Sequence, residues 1–358
     1  MRVLQLIDSL NAGGAERVAV NYASVLASRL EGSYLCATRE EGLLMESISK
    51  DVGYLFLNKR KTIDLAAIKR LNTFLKQNNI DVIHAHATSF FLATLIKILN
   101  PNLVLVWHDH YGNSEFLESR PRYVLKKCSK WFNHIITVNA KLESWAIANL
   151  STASVTYLPN FAQVDSNEPQ TILKGVFGKR IVCLANLRPQ KDHLNLLKAF
   201  QLVLKKHADW TLHLVGKDFQ DHYASRIKGY ISKNNLKQSA FIYGSCSDIH
   251  HVLNQSDIGV LASQSEGLPV SLLEYGLSKL PVVATDVGDC HKVISTEEEG
   301  LLVEPKHSEA LAQAITAYIE NAELRNVAAE NLNAKVLSEF SETGVIDALI
   351  TIYNSNKP

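Results

Sequence analysis

The 358-residue chain carries 37 Lys and Arg against 36 Asp and Glu, and 46% of its residues are apolar. That length can bury two cores, and the balance excludes a disordered chain and a bulk nucleic-acid binder. The charge is nevertheless uneven: 18 basic against 13 acidic residues in 1–163, and 19 against 23 in the remainder.

Five scattered cysteines (36, 128, 183, 246 and 290) form no C-x-x-C, so reduced thiols and a cytoplasmic location are expected. The first apolar run meets Asp8 almost at once and reads as a strand, not a signal peptide. The most apolar region, 90–107, is broken by Lys97 and by Asn100-Pro101-Asn102. It cannot cross a bilayer as one helix, and a soluble protein is expected.

In chain order, the strand candidates of the first half are RVLQLID (2–8), SYLCAT (33–38), DVIHAH (81–86), LVLVWHDH (103–110), HIITVN (134–139) and VTYLPN (155–160). The pattern restarts with RIVCLANL (180–187), WTLHLVG (210–216), AFIYG (240–244), IGVLAS (258–263), PVVATD (281–286) and GLLVE (300–304). Helical patterns such as 16–30 and 193–207 lie between them, and two further ones close the chain. Strands alternating with helices predict parallel sheets covered on both faces. The polar stretch AQVDSNEPQTILKG (162–175) reads as a linker between two doubly wound domains, 1–163 and 164–340. Ligands in such folds sit beyond the carboxyl ends of strands, so a cleft between the domains is the expected site.

NAGGAERV (11–18) follows the first strand and opens the first helix. Gly13 and Gly14 there allow close backbone approach, and helix-start N–H groups favour an anion. A mere tight turn fits equally, and this is not the dinucleotide fingerprint. His84 and His86, then His108 and His110, end neighbouring strand candidates at i, i+2 spacing, so each pair shares one strand face. A metal site with Asp109 nearby is one reading, and structural histidines are the other. No third cluster supplies carboxylate ligands and no D-x-D pair occurs, so no metal is expected.

On the turn LRPQK, Arg188 and Lys191 are two cations able to clamp a diphosphate. Gly216 ends a strand, where it suits close approach to a base or ribose, or simply a turn. In SEGLPVSLLEY (265–275), Pro269 is the expected first helical residue, with Glu266 in the loop before it and Glu274 on the second turn. The N–H groups of Gly267 and Leu268 make a seat for phosphate. A carboxylate on each side can take hydroxyls from the two ends of a nucleotide sugar. RPRYVLKKCSKWF (120–132) interleaves Arg120, Arg122, Lys126, Lys127 and Lys130 with aromatic and aliphatic residues. It reads as a basic amphipathic helix for an anionic membrane face or as an ordinary surface helix.

Taken together, EGLPVSLLE, DVIHAH, VWHDH, GGAER, LPN and LRPQK resemble the retaining glycosyltransferases of family 4, of GT-B fold, along nearly the whole chain. The resemblance implies two Rossmann-like domains, a C-terminal helix (341–358) packed back on the first, and transfer of a sugar from a nucleoside-diphosphate donor to a glycan or lipid-linked acceptor. It implies a UDP-sugar donor, no cofactor, no obligate metal and no nucleic-acid partner. An acceptor at the inner membrane face, in bacterial surface polysaccharide synthesis, fits it best. Glu266 would hold sugar hydroxyls, Glu274 the ribose diol, Lys191 and Arg188 the diphosphate. His108 would stand near the reacting centre, with Gly13 and Gly14 closing over phosphate or acceptor. A sugar-nucleotide epimerase or hydrolase of the same fold and a non-catalytic nucleotide-sugar scaffold are the alternatives. The chain departs from the family in Asn186, where an arginine is usual, and in Phe161, where the family turn reads Pro-Asn-Gly.

Overall fold

Runs of Val, Ile and Leu with polar residues confined to their ends form strands buried on both faces. The computed structural model describes residues 1–152, 154–163 and 168–356, and builds these strands into two parallel sheets. The chain divides into two compact units, Met1–Phe161 with Glu342–Pro358, and Ala162–Ser341. Of the linker reading at 162–175, residues 164–167 lie outside the described residues, as do the last two residues of the C-terminal segment.

The first unit holds β1 (Arg2–Ser9), β2 (Gly32–Glu40), β3 (Gly53–Phe56), β4 (Val82–His86), β5 (Val104–Asp109), β6 (His134–Thr137) and β7 (Val155–Tyr157). Their order is β3-β2-β1-β4-β5-β6-β7. The sheet therefore reverses its winding between β1 and β4. The edge strand β3 was not among the expected strands; it is only four residues, GYLF, and half-buried throughout. The helix Gly14–Arg29 covers one face. The helix Glu342–Ser355 returns to this unit, burying Val345, Ile346, Leu349, Ile352 and Tyr353 and pairing Asp347 with Arg29.

The second unit holds β8 (Arg180–Leu184), β9 (Thr211–Val215), β10 (Ala240–Gly244), β11 (Ile258–Leu261), β12 (Val282–Thr285) and β13 (Leu301–Val303), in the order β10-β9-β8-β11-β12-β13. Its winding reverses between β8 and β11. Just past their paired residues the Tyr275 hydroxyl enters, accepting from Leu184 N (2.7 Å) and donating to the Val260 carbonyl (3.2 Å). Tyr275 is fully buried and packs where Gly259 lacks a side chain. One phenol thus ends the β8–β11 ladder and locks the helix Val270–Leu277 onto it. Among the described residues no helix is long and apolar enough to cross a membrane.

Candidate functional site

In a doubly wound sheet two loops diverge at the point where winding reverses, leaving a crevice at the strand carboxyl ends. In the second unit those loops are the ones after β8 and β11. The first carries Lys191 at the end of a short 3-10 turn, Pro189–Lys191, and Asp192 then adopts φ 47° and caps the helix His193–Leu204. The second carries Ser263 and Glu266. Lys191 Nζ donates to Glu266 Oε1 at 2.5 Å, and Ser263 Oγ donates to the same oxygen at 2.5 Å. Gln264 ties the loops twice, through its N–H to the Gln190 carbonyl (2.7 Å) and its side chain to Asp192 (2.7 Å). The cation and carboxylate, 75 residues apart in sequence, are therefore held together by a built frame.

Glu266 is almost wholly buried, and Gly267 and Leu268 are buried beside it. Their turn is closed from the loop after β12: Asp289 N donates to the Gly267 carbonyl (2.9 Å). Gly288, at φ 57°, packs where a side chain would collide with the carbonyls of Glu266 and Gly267. Pro269 is the N-cap of the helix, one residue earlier than the first-position reading, since its ψ of 119° is extended. Glu274, half-buried, stands on the second turn of that helix.

The structure places three further positions of this unit, Arg188, Gly216 and Asn186, away from the Lys191–Glu266 contact. Arg188 does not join Lys191 and Glu266: it is exposed, and its guanidinium lies 4.4 Å from the centre of the Phe219 ring. Lys217 Nζ lies 5.3 Å from the same ring, so a basic-aromatic patch forms beyond β8 and β9 that the sequence did not suggest. Gly216 is a glycine because the backbone of Ala185 and Asn186 fills the space a Cβ would take. Asn186 accepts from Lys217 N (2.7 Å) and holds the β9 turn, so a polar cap replaces the family cation. Beneath Lys191, burial and then the lysine charge push His193 down to about 4.

In the first unit the winding reverses between β1 and β4, and β5 pairs with β4 so that His86 stands opposite His108. This register, which spacing alone could not supply, merges the two histidine pairs into one buried cluster. Ring centroids lie 4.4 Å apart for His84 and His86, 5.2 Å for His84 and His108, and 4.0 Å for His108 and His110. His84 Nδ1 meets the Tyr353 hydroxyl at 2.7 Å, and His86 Nε2 meets Gln5 Oε1 at 2.8 Å. His86 Nδ1 faces His110 Nε2 at 3.0 Å. Burial drives His84, His86 and His108 well below the ordinary imidazole range, so they are neutral. His108 itself is fully buried; His110, at the edge, is the partly exposed member. Tyr22 stacks over His108 (5.9 Å) and Phe161 over Tyr22 (5.5 Å), which gives the unusual Phe161 a packing role.

Asp109 points away from the histidines and takes both guanidinium nitrogens of Arg120 (2.7 and 2.8 Å). Arg120 is thus not a surface cation, and the 120–132 stretch is not one helix. It runs as a six-residue helix, Tyr123–Cys128, and a 3-10 turn, Ser129–Trp131. What it exposes is Arg122, Tyr123, Val124, Lys126, Lys127, Lys130 and Trp131. Gly13 caps the helix Gly14–Arg29 in an extended conformation, with the Glu16 carboxylate packed where a side chain at 13 would go. Gly14 is exposed with open space around its Cβ direction.

The family model described as Glycosyltransferase Family 4 matches residues 12–166, and the one described as Glycosyl transferases group 1 matches 167–335. An uncharacterized glycosyltransferase of Haemophilus influenzae is 23% identical over 325 residues, 88% of this chain and 89% of that one. The UDP-Gal:alpha-D-GlcNAc-diphosphoundecaprenol alpha-1,3-galactosyltransferase of Escherichia coli is 22% identical over 98% of this chain and 95% of its own. Among solved structures, Anabaena HepE in complex with UDP and glucose superposes with a TM-score of 0.81 at 18% identity, covering 99% of this chain and all of that one.

Proposed function

The chain belongs to the family-4 glycosyltransferases of GT-B fold, and from there we propose that it moves a sugar from a UDP-sugar to a glycan or lipid-linked acceptor with retention at the anomeric carbon. The observation that carries this reading is the Lys191–Glu266 pair at the winding reversal of the second sheet. A diphosphate needs a cation and the adjoining sugar needs hydroxyl acceptors, and this pair offers both at one place. Glu274, further along on the helix, is the acceptor for the ribose diol. The relatives support the donor and acceptor classes: one acts on UDP-Gal and a diphosphoundecaprenol-linked sugar by its name, and one structure holds UDP.

In the reaction the bond from the anomeric carbon to the diphosphate oxygen breaks and its electron pair leaves with UDP. Lys191 stabilises that charge, an effect worth about 3 kcal/mol for one well-placed donor. The acceptor oxygen attacks from the face the diphosphate leaves, and its proton passes to a diphosphate oxygen. Glu266, freed from Lys191 as the diphosphate engages the lysine, holds sugar hydroxyls. The test is calorimetric titration with UDP, GDP, ADP and CMP in the presence of chelator, on wild type and Glu274→Ala. UDP alone should bind tightly, at least tenfold more weakly in the variant. Equal binding of all four, or an unaltered variant, would overturn the donor assignment.

The acceptor side of the proposal places the protein on the cytoplasmic face of a membrane through the exposed residues of 122–131. Tyr123 is 71% exposed and Val124 51%, beside Lys126, Lys127 and Lys130. Each lysine near an anionic surface contributes about 1 kcal/mol. Changing all three lysines to glutamate should therefore lower co-sedimentation with phosphatidylglycerol vesicles about 100-fold or more. Equal sedimentation of variant and wild type would discard this contact.

A further inference from the structure

The donor chemistry leaves the histidine cluster of the first unit unexplained. His108 is fully buried, yet among the described residues neither of its ring nitrogens has a hydrogen-bond partner, and His84 Nε2 has none either. Leaving a buried polar atom unpaired costs about 1–3 kcal/mol, so three of them in one place call for an occupant.

We propose that His84, His86 and His108 form a buried site for one divalent transition ion of the class that imidazole favours, such as zinc, cobalt or nickel. Their ligand atoms all lie within 4.8 Å of one another. Two nitrogens bound to one zinc at about 2.1 Å stand roughly 3.4 Å apart in a tetrahedral site, so the rings need to shift by about an ångström. The orienting partners are already in place. A ligating histidine holds its other nitrogen in a hydrogen bond that fixes the ring. Gln5 Oε1 is an acceptor, so His86 carries its proton on Nε2 and turns the Nδ1 lone pair toward the cluster. The Tyr353 hydroxyl, which also accepts from Gln5 Nε2 (3.3 Å), meets His84 at Nδ1; with the His84 proton on Nδ1, Nε2 is the nitrogen that would bind. His110 Nε2 donates to His86 Nδ1 at 3.0 Å, so ion binding would break that bond, and His110 becomes a fourth ligand only by moving its proton to Nδ1. Tyr353 comes from the helix Glu342–Ser355 and Gln5 from β1, so the ion would tie the returning helix to the sheet.

The experiment is a cobalt(II) titration of the chelator-treated protein, both folded and refolded with the ion present. Visible d–d absorption is read, and zinc is then added as competitor. One equivalent with the intense bands of four-coordinate cobalt, displaced by one equivalent of zinc, is the expected result. His250→Gln with His251→Gln, on an outer helix, should leave it unchanged, and His108→Asn should abolish it. Tyr353→Phe, which keeps the ligands and removes one orienting bond, should weaken affinity 10- to 100-fold. No uptake by either route would overturn the proposal and assign the orphaned nitrogens to buried water. So would an undiminished spectrum in His108→Asn or, should that variant not fold, an unchanged affinity in Tyr353→Phe.

Discussion

Lys191→Met is expected to lower turnover about 100- to 1,000-fold and to destabilise the second unit even without ligand. Glu266 is the reason for the second effect. Its side chain is only 6% exposed, and Lys191 and Ser263 both donate to one of its oxygens. Removing the lysine leaves a buried carboxylate with one of those donors gone, a loss of about 3 kcal/mol. Glu266→Gln should behave differently. The lysine, at 22% exposure, can turn to water, so stability falls little while the hydroxyl grip and turnover are lost. The double variant should recover most of the stability lost in Lys191→Met and none of the activity. Thermal unfolding with and without UDP, beside UDP release from UDP-sugars with a lipid-linked sugar acceptor, separates these effects. UDP raises the melting temperature only as far as it binds the folded state, so the shift seen in wild type should shrink in Lys191→Met. A variant with full UDP stabilisation would remove the lysine from the diphosphate site.

How much of this was legible depended on whether the information was local. Twelve strand candidates correspond to twelve of the thirteen strands, because short apolar runs mark them whether they are fully buried, as β4 and β5 are, or half-buried, as β7 and β13 are. The four-residue edge strand β3 was not among the candidates. The loop order around Pro269 followed from proline's effect on its neighbours, to within one residue. Partners from distant segments were out of reach. Nothing near Glu266 names Lys191 as its ion-pair partner, nor says that Gly288 must be bare to admit the carbonyls of Glu266 and Gly267. Arg188 and Lys191 look alike on one turn, yet one lies over Phe219 and the other reaches Glu266. The histidine spacing gave the shared strand face. That β4 and β5 pair with His86 opposite His108 is a property of the sheet, and only then do two pairs become one cluster.

Arg120 shows the same limit with the largest stability effect expected for the first unit. In sequence it is the first of five cations in a basic stretch; in the fold its side chain is 7% exposed and forked onto Asp109, itself 1% exposed. Its guanidinium lies 4.3 Å from the ring centres of both Tyr111 and Trp145. Arg120→Met should cost about 3–5 kcal/mol, because Asp109 then stays buried without its counter-charge. Arg120→Lys should recover only part, since an ammonium neither forks onto two oxygens nor stacks on aromatic faces as a planar guanidinium can. Asp109→Asn combined with Arg120→Met should be more stable than Arg120→Met alone, which a double-mutant cycle measures directly. The same variants decide between two roles for one cation. A membrane-facing arginine would lower vesicle binding and leave unfolding unchanged. A buried clamp, placed as here between the end of β5 and the segment after it, lowers the melting temperature and leaves vesicle binding by the still-folded protein to Lys126, Lys127 and Lys130.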